Sequence, residues 1–131
     1  MTTDYPIQEG VSLDTLPSIC IKSWVDNDGN TTRVQRKIVC AANRFELTSG
    51  GSLVIPASRH YSPIMRGLSK RLAQAKMIKT MMVCGDDQGF IDQFDDYHTR
   101  EDALVIVKHS GQTFHPDRNG TGKELFSEGL Y

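Results

Sequence analysis

Arg59-His60-Tyr61 stands directly before Ser62-Pro63, a side-chain cap followed by a first-turn proline. A helix start presents free amide hydrogens and the positive end of the helix dipole, so a neighbouring guanidinium makes this junction suited to a phosphate. Taken alone, an Arg and a His at a strand end read more often as surface residues. Gly89-Phe90 joins a flexible backbone to an aromatic ring that could stack a base for about 1 to 3 kcal/mol. Its competing reading is a core phenylalanine in a short strand. His115 to Lys123 is polar and glycine-containing, with Arg118 and Lys123 as cations. It lacks the Gly-x4-Gly-Lys-Ser/Thr order of a phosphate-cradling loop, and otherwise reads as a surface loop.

Metal and nucleophile chemistry find no pattern. Asp92, Asp95 and Asp96 fail the calcium-loop spacing, which needs a Gly at the sixth position and a Glu at the twelfth, and Asp26-x-Asp28-Gly29 fails it too. His60, His98, His109 and His115 have no metal-ligand spacing, and no serine sits in a Gly-x-Ser-x-Gly elbow. No cofactor is expected. Cys20, Cys40 and Cys84 are odd in number and far apart, which argues against a disulfide framework or structural zinc and reads as buried thiols in a reducing cytoplasm.

The elements that must position these residues follow from local chemistry. Residues 1 to 16 show no sustained period and read as a flexible arm, leaving 17 to 131 as a single domain. Ile19 to Val25 and Arg33 to Phe45 read as strands around an Asp28-Gly29 turn, with a third strand over Leu53 to Ser58 after Gly50-Gly51. Ser62-Pro63 opens a helix to about residue 75, with Ile64, Leu68 and Leu72 on one face. The stretch Lys76 to Val83 suits either a buried helix or a strand and leans to strand near its end. Phe90 to Phe94 reads as a short strand. Thr99 with Asp102 resembles a capping box for a helix ending at Gly111, with Ala103, Leu104, Ile106 and Val107 inward. The fold class is α+β: an antiparallel sheet in the N-terminal half packed with two main helices.

The whole chain, 131 residues at a net charge of -1, exerts no global pull on nucleic acid or membrane, so an anionic ligand must be held by local charge. No apolar run approaches the roughly 18 residues of a membrane span, and the first residues lack a signal-peptide pattern. Charge is segregated: six Lys or Arg and no acid lie between Glu46 and Asp86, whereas Asp86 to Asp102 holds seven acids and one Arg. Such segregation reads as solvated faces that pair within or between subunits, or as an anion-binding face.

Four segments occur together and in order: Gln88-Gly89-Phe90-Ile91-Asp92, Thr99-Arg100-Glu101-Asp102-Ala103, the Gly111-Gln112 helix end, and Leu125-Phe126-Ser127-Glu128-Gly129-Leu130-Tyr131. With Ile38-Val39-Cys40-Ala41-Ala42 and Arg59-His60-Tyr61 they resemble the Thoeris anti-defence proteins of phages, small sponges that sequester cyclic ADP-ribose signals made by bacterial TIR-domain enzymes. The resemblance runs from about Ile38 to Tyr131. Gly129 departs from it, standing where the closing motif usually has an acid. The resemblance implies a cytoplasmic, non-catalytic binder in the infected host, assembled from dimers into a larger homo-oligomer. It implies a cyclic ADP-ribose-type ligand, with cyclic oligonucleotides at a separate site in some members, and neither DNA nor RNA. It places Phe90 against adenine, Arg59 and Arg118 on the pyrophosphate and Thr99 or Arg100 at the ribose, and counts His60 among the ligand-binding residues. An enzyme reading, a phosphodiesterase or transferase acting on a cyclic nucleotide, would need a base or metal set that the sequence does not display.

Overall fold

The computed structural model describes residues 1–120 and 122–131. Two sheets divide the strands. The first joins β1 (Thr2–Tyr5), β2 (Ile21–Val25) and β3 (Thr31–Gln35) in the order β1-β3-β2, with β1 parallel and β2 antiparallel to β3. The second joins β4 (Ile38–Glu46), β5 (Ser52–Ala57), β6 (Gln88–Asp92) and β7 (Tyr97–Thr99) in the antiparallel order β5-β4-β6-β7. Helices α1 (Pro63–Gln74), α2 (Arg100–Ser110) and the short α3 (Ser127–Leu130) complete the α+β architecture. No helix among the described residues is long and apolar enough to cross a membrane.

The Arg33–Phe45 stretch, expected as one strand, is two. Between β3 and β4, at Arg36 and Lys37, the chain leaves one sheet for the other. The break is set by long-range partners: Arg36 donates to the carboxylates of Asp92 and Asp96, and the Lys37 amide donates to Gln93 Oε1 at 2.9 Å. The first sixteen residues, expected as a flexible arm, carry β1, a wholly buried Leu13 and a bidentate pair from Asp4 to Arg33, which also reaches Asp14. Parallel pairing to β3 organises this segment, and a polar strand in such a pairing leaves no alternation to read.

Helix α1 starts at the Ser62 cap, whose Oγ accepts from the Met65 amide at 3.3 Å. Its buried face is not Ile64 and Leu68, which are 79% and 39% exposed, but Met65 and Ser69 with Leu72 and Ala73 packed beside them. Two stripes compete on this helix, and the sheet takes the one with the small Ser69, allowing closer approach. Lys76, at φ 58°, turns the chain out of α1. Lys76 to Val83 then forms no strand beyond a single bridge from Leu47 to Ile78, while Met77, Met81 and Met82 stay exposed.

Helix α2 matches its local signals at both ends: Thr99 Oγ1 accepts from the Asp102 amide at 3.3 Å, and Gly111 closes it at φ 72°. Ala103, Leu104, Ile106 and Val107 enter the main core with Ile38, Ala41, Phe90, Leu125 and Leu130. That core fixes the C-terminal segment against the sheet, so Leu125 and Leu130 are docked on their own domain.

Candidate functional site

The sequence-marked cations gather around the C-terminal segment. Arg59 donates to the Tyr131 main-chain oxygen at 2.8 Å and lies 4.8 Å over the Tyr131 ring. Arg100 lies 4.8 Å over the Phe126 ring and donates to Gln88 Oε1. Arg118 and Phe126 line one recess of about 260 Å³ with Asn119, Gly120 and Glu128. Two aromatic rings of the tail therefore carry two guanidiniums face-on, a cation–π arrangement that holds charge at a surface without neutralising it.

His60 sits behind this group, 8% exposed, with Nε2 donating to the Gly89 carbonyl at 2.8 Å and its ring edge-on to Phe90 at 5.2 Å. Burial pushes its imidazole below the usual value; the Arg100 charge adds to the effect, while Glu128 and the Gly89 carbonyl oppose it. The His60 ring thus packs against β6, and its surroundings favour the neutral form.

Thr99 and the Arg100 main chain make structural contacts within the chain. The Thr99 hydroxyl is the cap of α2, and the Arg100 main-chain oxygen accepts from the Leu125 amide at 2.9 Å. Thr99 thereby fixes the start of α2, and the Arg100 main chain helps to hold the tail. Phe90 is a correction: its ring is 0% exposed, inside the main core, and no face is open to a base. The cysteines are a second correction, since only Cys20 is buried, Cys40 is half-buried and Cys84 is exposed.

Gly89 lacks a side chain because its own chain takes the space. A Cβ there would meet the His98 main-chain oxygen at 2.1 Å and the Tyr97 ring at 2.6 Å. Gly89→Ala is therefore expected to cost about 1 to 3 kcal/mol through forced separation of β6 and β7. Urea denaturation with an unchanged slope checks it, and a wild-type midpoint would show that Tyr97 moves freely.

Gly129 has a similar cause, for a Cβ would meet the Asn119 side chain at 2.4 Å. Asn119, 1% exposed, donates to the Glu124 carbonyl at 2.8 Å and accepts from the Phe126 amide at 2.7 Å, pinning the tail. An acid at 129 could not share this arrangement. The loop expected at 115–123 is thus organised at Asn119; Thr121 lies outside the described residues.

Asn43 was missed by sequence reasoning. It is wholly buried, donates to the His60 carbonyl at 2.6 Å, and among the described residues its Oδ1 and the buried Arg100 Nε have no hydrogen-bond partner. Asn43 and Gln88 are cross-strand neighbours, so these polar groups underlie the Arg100–His60 region. The available signal was an amide inside the apolar run Cys40-Ala41-Ala42-Asn43.

Three acids of the stretch from Asp86 to Asp102 are paired, and among the described residues none of the three pairs with the basic segment between Glu46 and Asp86. Asp87 meets Arg44, and Asp92 and Asp96 meet Arg36, with Lys22 also on Asp96. Among the described residues, no group of three His, Cys, Asp or Glu is placed to hold a metal ion.

A family model described as phage T4 y16D protein matches residues 37–131. The boundary falls between β3 and β4, so the match covers the four-stranded sheet, all three helices and every residue of the cationic group. No curated protein and no solved structure matches the chain.

Proposed function

This chain belongs to the phage T4 y16D protein family, and for this phage protein we propose non-catalytic capture of a cyclic ADP-ribose-type nucleotide signal, the activity of the Thoeris anti-defence proteins it resembles. Sequestration in the infected host would block the bacterial response that the signal triggers. The observation that carries the reading is the grouping of Arg59, Arg100 and Arg118 around one aromatic tail in a chain of net charge -1. With no overall field to draw an anion, a doubly charged pyrophosphate needs such local cations.

Arg59 is the stronger phosphate ligand of the two sequence-marked positions, because Glu128 shares the Arg118 recess and opposes an incoming anion. Arg59→Ala is expected to weaken binding of cyclic ADP-ribose by about 2 to 3 kcal/mol, at the lower end for losing one partner of a charge pair. Arg118→Ala should weaken it less. Arg33→Ala, whose guanidinium serves Asp4 and Asp14 in the other sheet, should leave affinity unchanged. Calorimetry checks the series; equal binding by all three variants would remove these cations from the site.

A homo-oligomer built from dimers is part of the proposal. The exposed Ile64 and Leu68 on α1, flanked by Arg66 and Lys70, offer an apolar stripe to a second copy. Light scattering at micromolar concentration tests assembly. To separate capture from a phosphodiesterase or transferase reaction, the protein is incubated with the nucleotide and then heat-denatured. Release of unaltered nucleotide supports capture, and an altered product overturns it.

A further inference from the structure

We propose that the groove beside Arg59 on the second sheet seats the nucleobase of the ligand, a flat apolar ring whose phosphates reach Arg59. The inference rests on the nucleotide reading above and adds the surface that takes the base. The groove is shallow, about 490 Å³, and lined by Cys40, Pro56, Ala57, Ser58 and Tyr131. Small-molecule sites span about 300 to 1,000 Å³, so its size admits a nucleotide.

The lining sets the chemistry of the occupant. A thiol, a pyrrolidine ring, a methyl group and a phenol ring, with the Ser58 hydroxyl at the Arg59 end, give a mainly apolar floor with no charged side chain. A phosphate finds no cation on this floor, whereas a flat heterocycle exchanges water for dispersion contacts and ring stacking. The charge stands at one end. Arg59 follows the lining residue Ser58 in the chain and holds its guanidinium over the ring of the lining residue Tyr131. An apolar slot ending in a fixed cation is complementary to a base joined to a phosphate.

The floor continues away from Arg59. Pro56 also lines a second hollow with Val54, Ile91 and Asp95. The Asp95 carboxylate, exposed at that far end, repels phosphate and accepts from an exocyclic amino group, so it sets the direction in which the ligand lies. Phe90 leaves the stacking role open because its ring is wholly buried. Addition of a strand from a second copy fits this edge poorly: β5 is an edge strand, and Pro56 within it has no amide hydrogen to donate.

The cysteines provide the test within one molecule. Cys40 lines the groove half-buried, Cys84 is exposed elsewhere, and Cys20 is buried. Burial pushes the Cys40 thiol up, and Asp95 adds to it, so its alkylation is slow enough to follow. The full chain is treated with iodoacetamide, with and without cyclic ADP-ribose, and each cysteine is followed by peptide mass spectrometry; calorimetry on the same samples reports binding. The expected result is that the probe slows Cys40 about fivefold or more relative to Cys84, as occlusion of a thiol requires. Pro56→Trp, filling the groove from an exposed position, should weaken binding about tenfold without lowering the melting temperature. Calorimetric binding with an unchanged Cys40 rate overturns the groove assignment and leaves the nucleotide reading standing. Absence of any binding overturns both. Slowing of Cys40 by raised protein concentration without the probe shows that a second copy fills the groove, and also overturns the assignment.

Discussion

Phe90→Ala is expected to destabilise the fold by about 3 to 5 kcal/mol, the range for truncating a fully buried aromatic residue. The ring is 0% exposed, in one core cluster with its small cross-strand neighbour Ala41 on β4 and with Ala103 and Leu104 of α2. Neither alanine can extend to fill the space, so collapse is limited and the cavity term should be large. Loss of the ring also removes the edge-on contact to His60 at 5.2 Å. The measured midpoint of urea denaturation should fall with the slope unchanged, since the surface exposed on unfolding is nearly the same. A stacking role makes the opposite forecast, with native stability and an affinity loss of about 1 to 3 kcal/mol. A variant with a wild-type midpoint and weakened nucleotide binding would restore Phe90 to the site.

The two readings of Phe90 were both open in the sequence because Gly-Phe in a strand fits either. What decides between them is the opposing surface, and that comes from α2, at least thirteen residues further along. The same limit explains α1. Its start is legible because Ser62 and Pro63 act on the backbone next to them. Its buried face is not, because Ile64 and Leu68 repeat as regularly as Met65 and Ser69 and only the sheet chooses between the stripes. By contrast, both ends of α2 are set within four residues of the helix, by Thr99 with Asp102 and by Gly111, and they are as read.

At the candidate site, the chain motifs marked Arg59, Arg100 and Arg118 one by one without revealing what surrounds them. Arg59, Arg100 and Arg118 are far apart in sequence, yet each lies beside the tail: Arg59 and Arg100 by ring contacts to Tyr131 and Phe126, and Arg118 in a recess that Phe126 also lines. The apolar tail was visible as a segment that must dock, whereas its partners were not. Asn43 was hidden further, as a polar residue on the inward face of a strand whose apolar neighbours set the pattern. The family match begins at residue 37, between the two sheets. The three-stranded sheet lies before the matched region, and it is attached through Lys22 and Arg36 to the acidic turn after β6.

That attachment gives the second large effect. Asp92→Ala is expected to cost about 3 to 5 kcal/mol, because removing one partner of a buried ion pair leaves the other uncompensated. Asp92 is 0% exposed and accepts from Arg36, from His98 Nε2 at 2.8 Å, and from the amides of Phe94 at 2.8 Å and Asp96 at 3.1 Å. All four donors lose an acceptor at once. Asp96→Asn is the contrasting variant: its side chain is 35% exposed, so loss of its pair should cost only about 0 to 1 kcal/mol. The pH dependence has a defined sign. Burial alone would raise the Asp92 carboxyl, but the His98, Arg36 and amide hydrogen bonds outweigh it and hold the pKa below its ordinary 3.8. A carboxyl depressed in the folded state contributes stability that is fully present above its unfolded pKa and is lost as pH falls through the folded one. Wild-type stability should therefore drop below about pH 4 with an acid limb that Asp92→Ala flattens. Denaturation midpoints measured from pH 7 down to about 2.5 check both claims, that interval covering the carboxylate range. An Asp92→Ala variant with wild-type stability at pH 7 would mean that Arg36 and His98 find other acceptors, and that the first sheet is held by Lys22 and its apolar contacts instead.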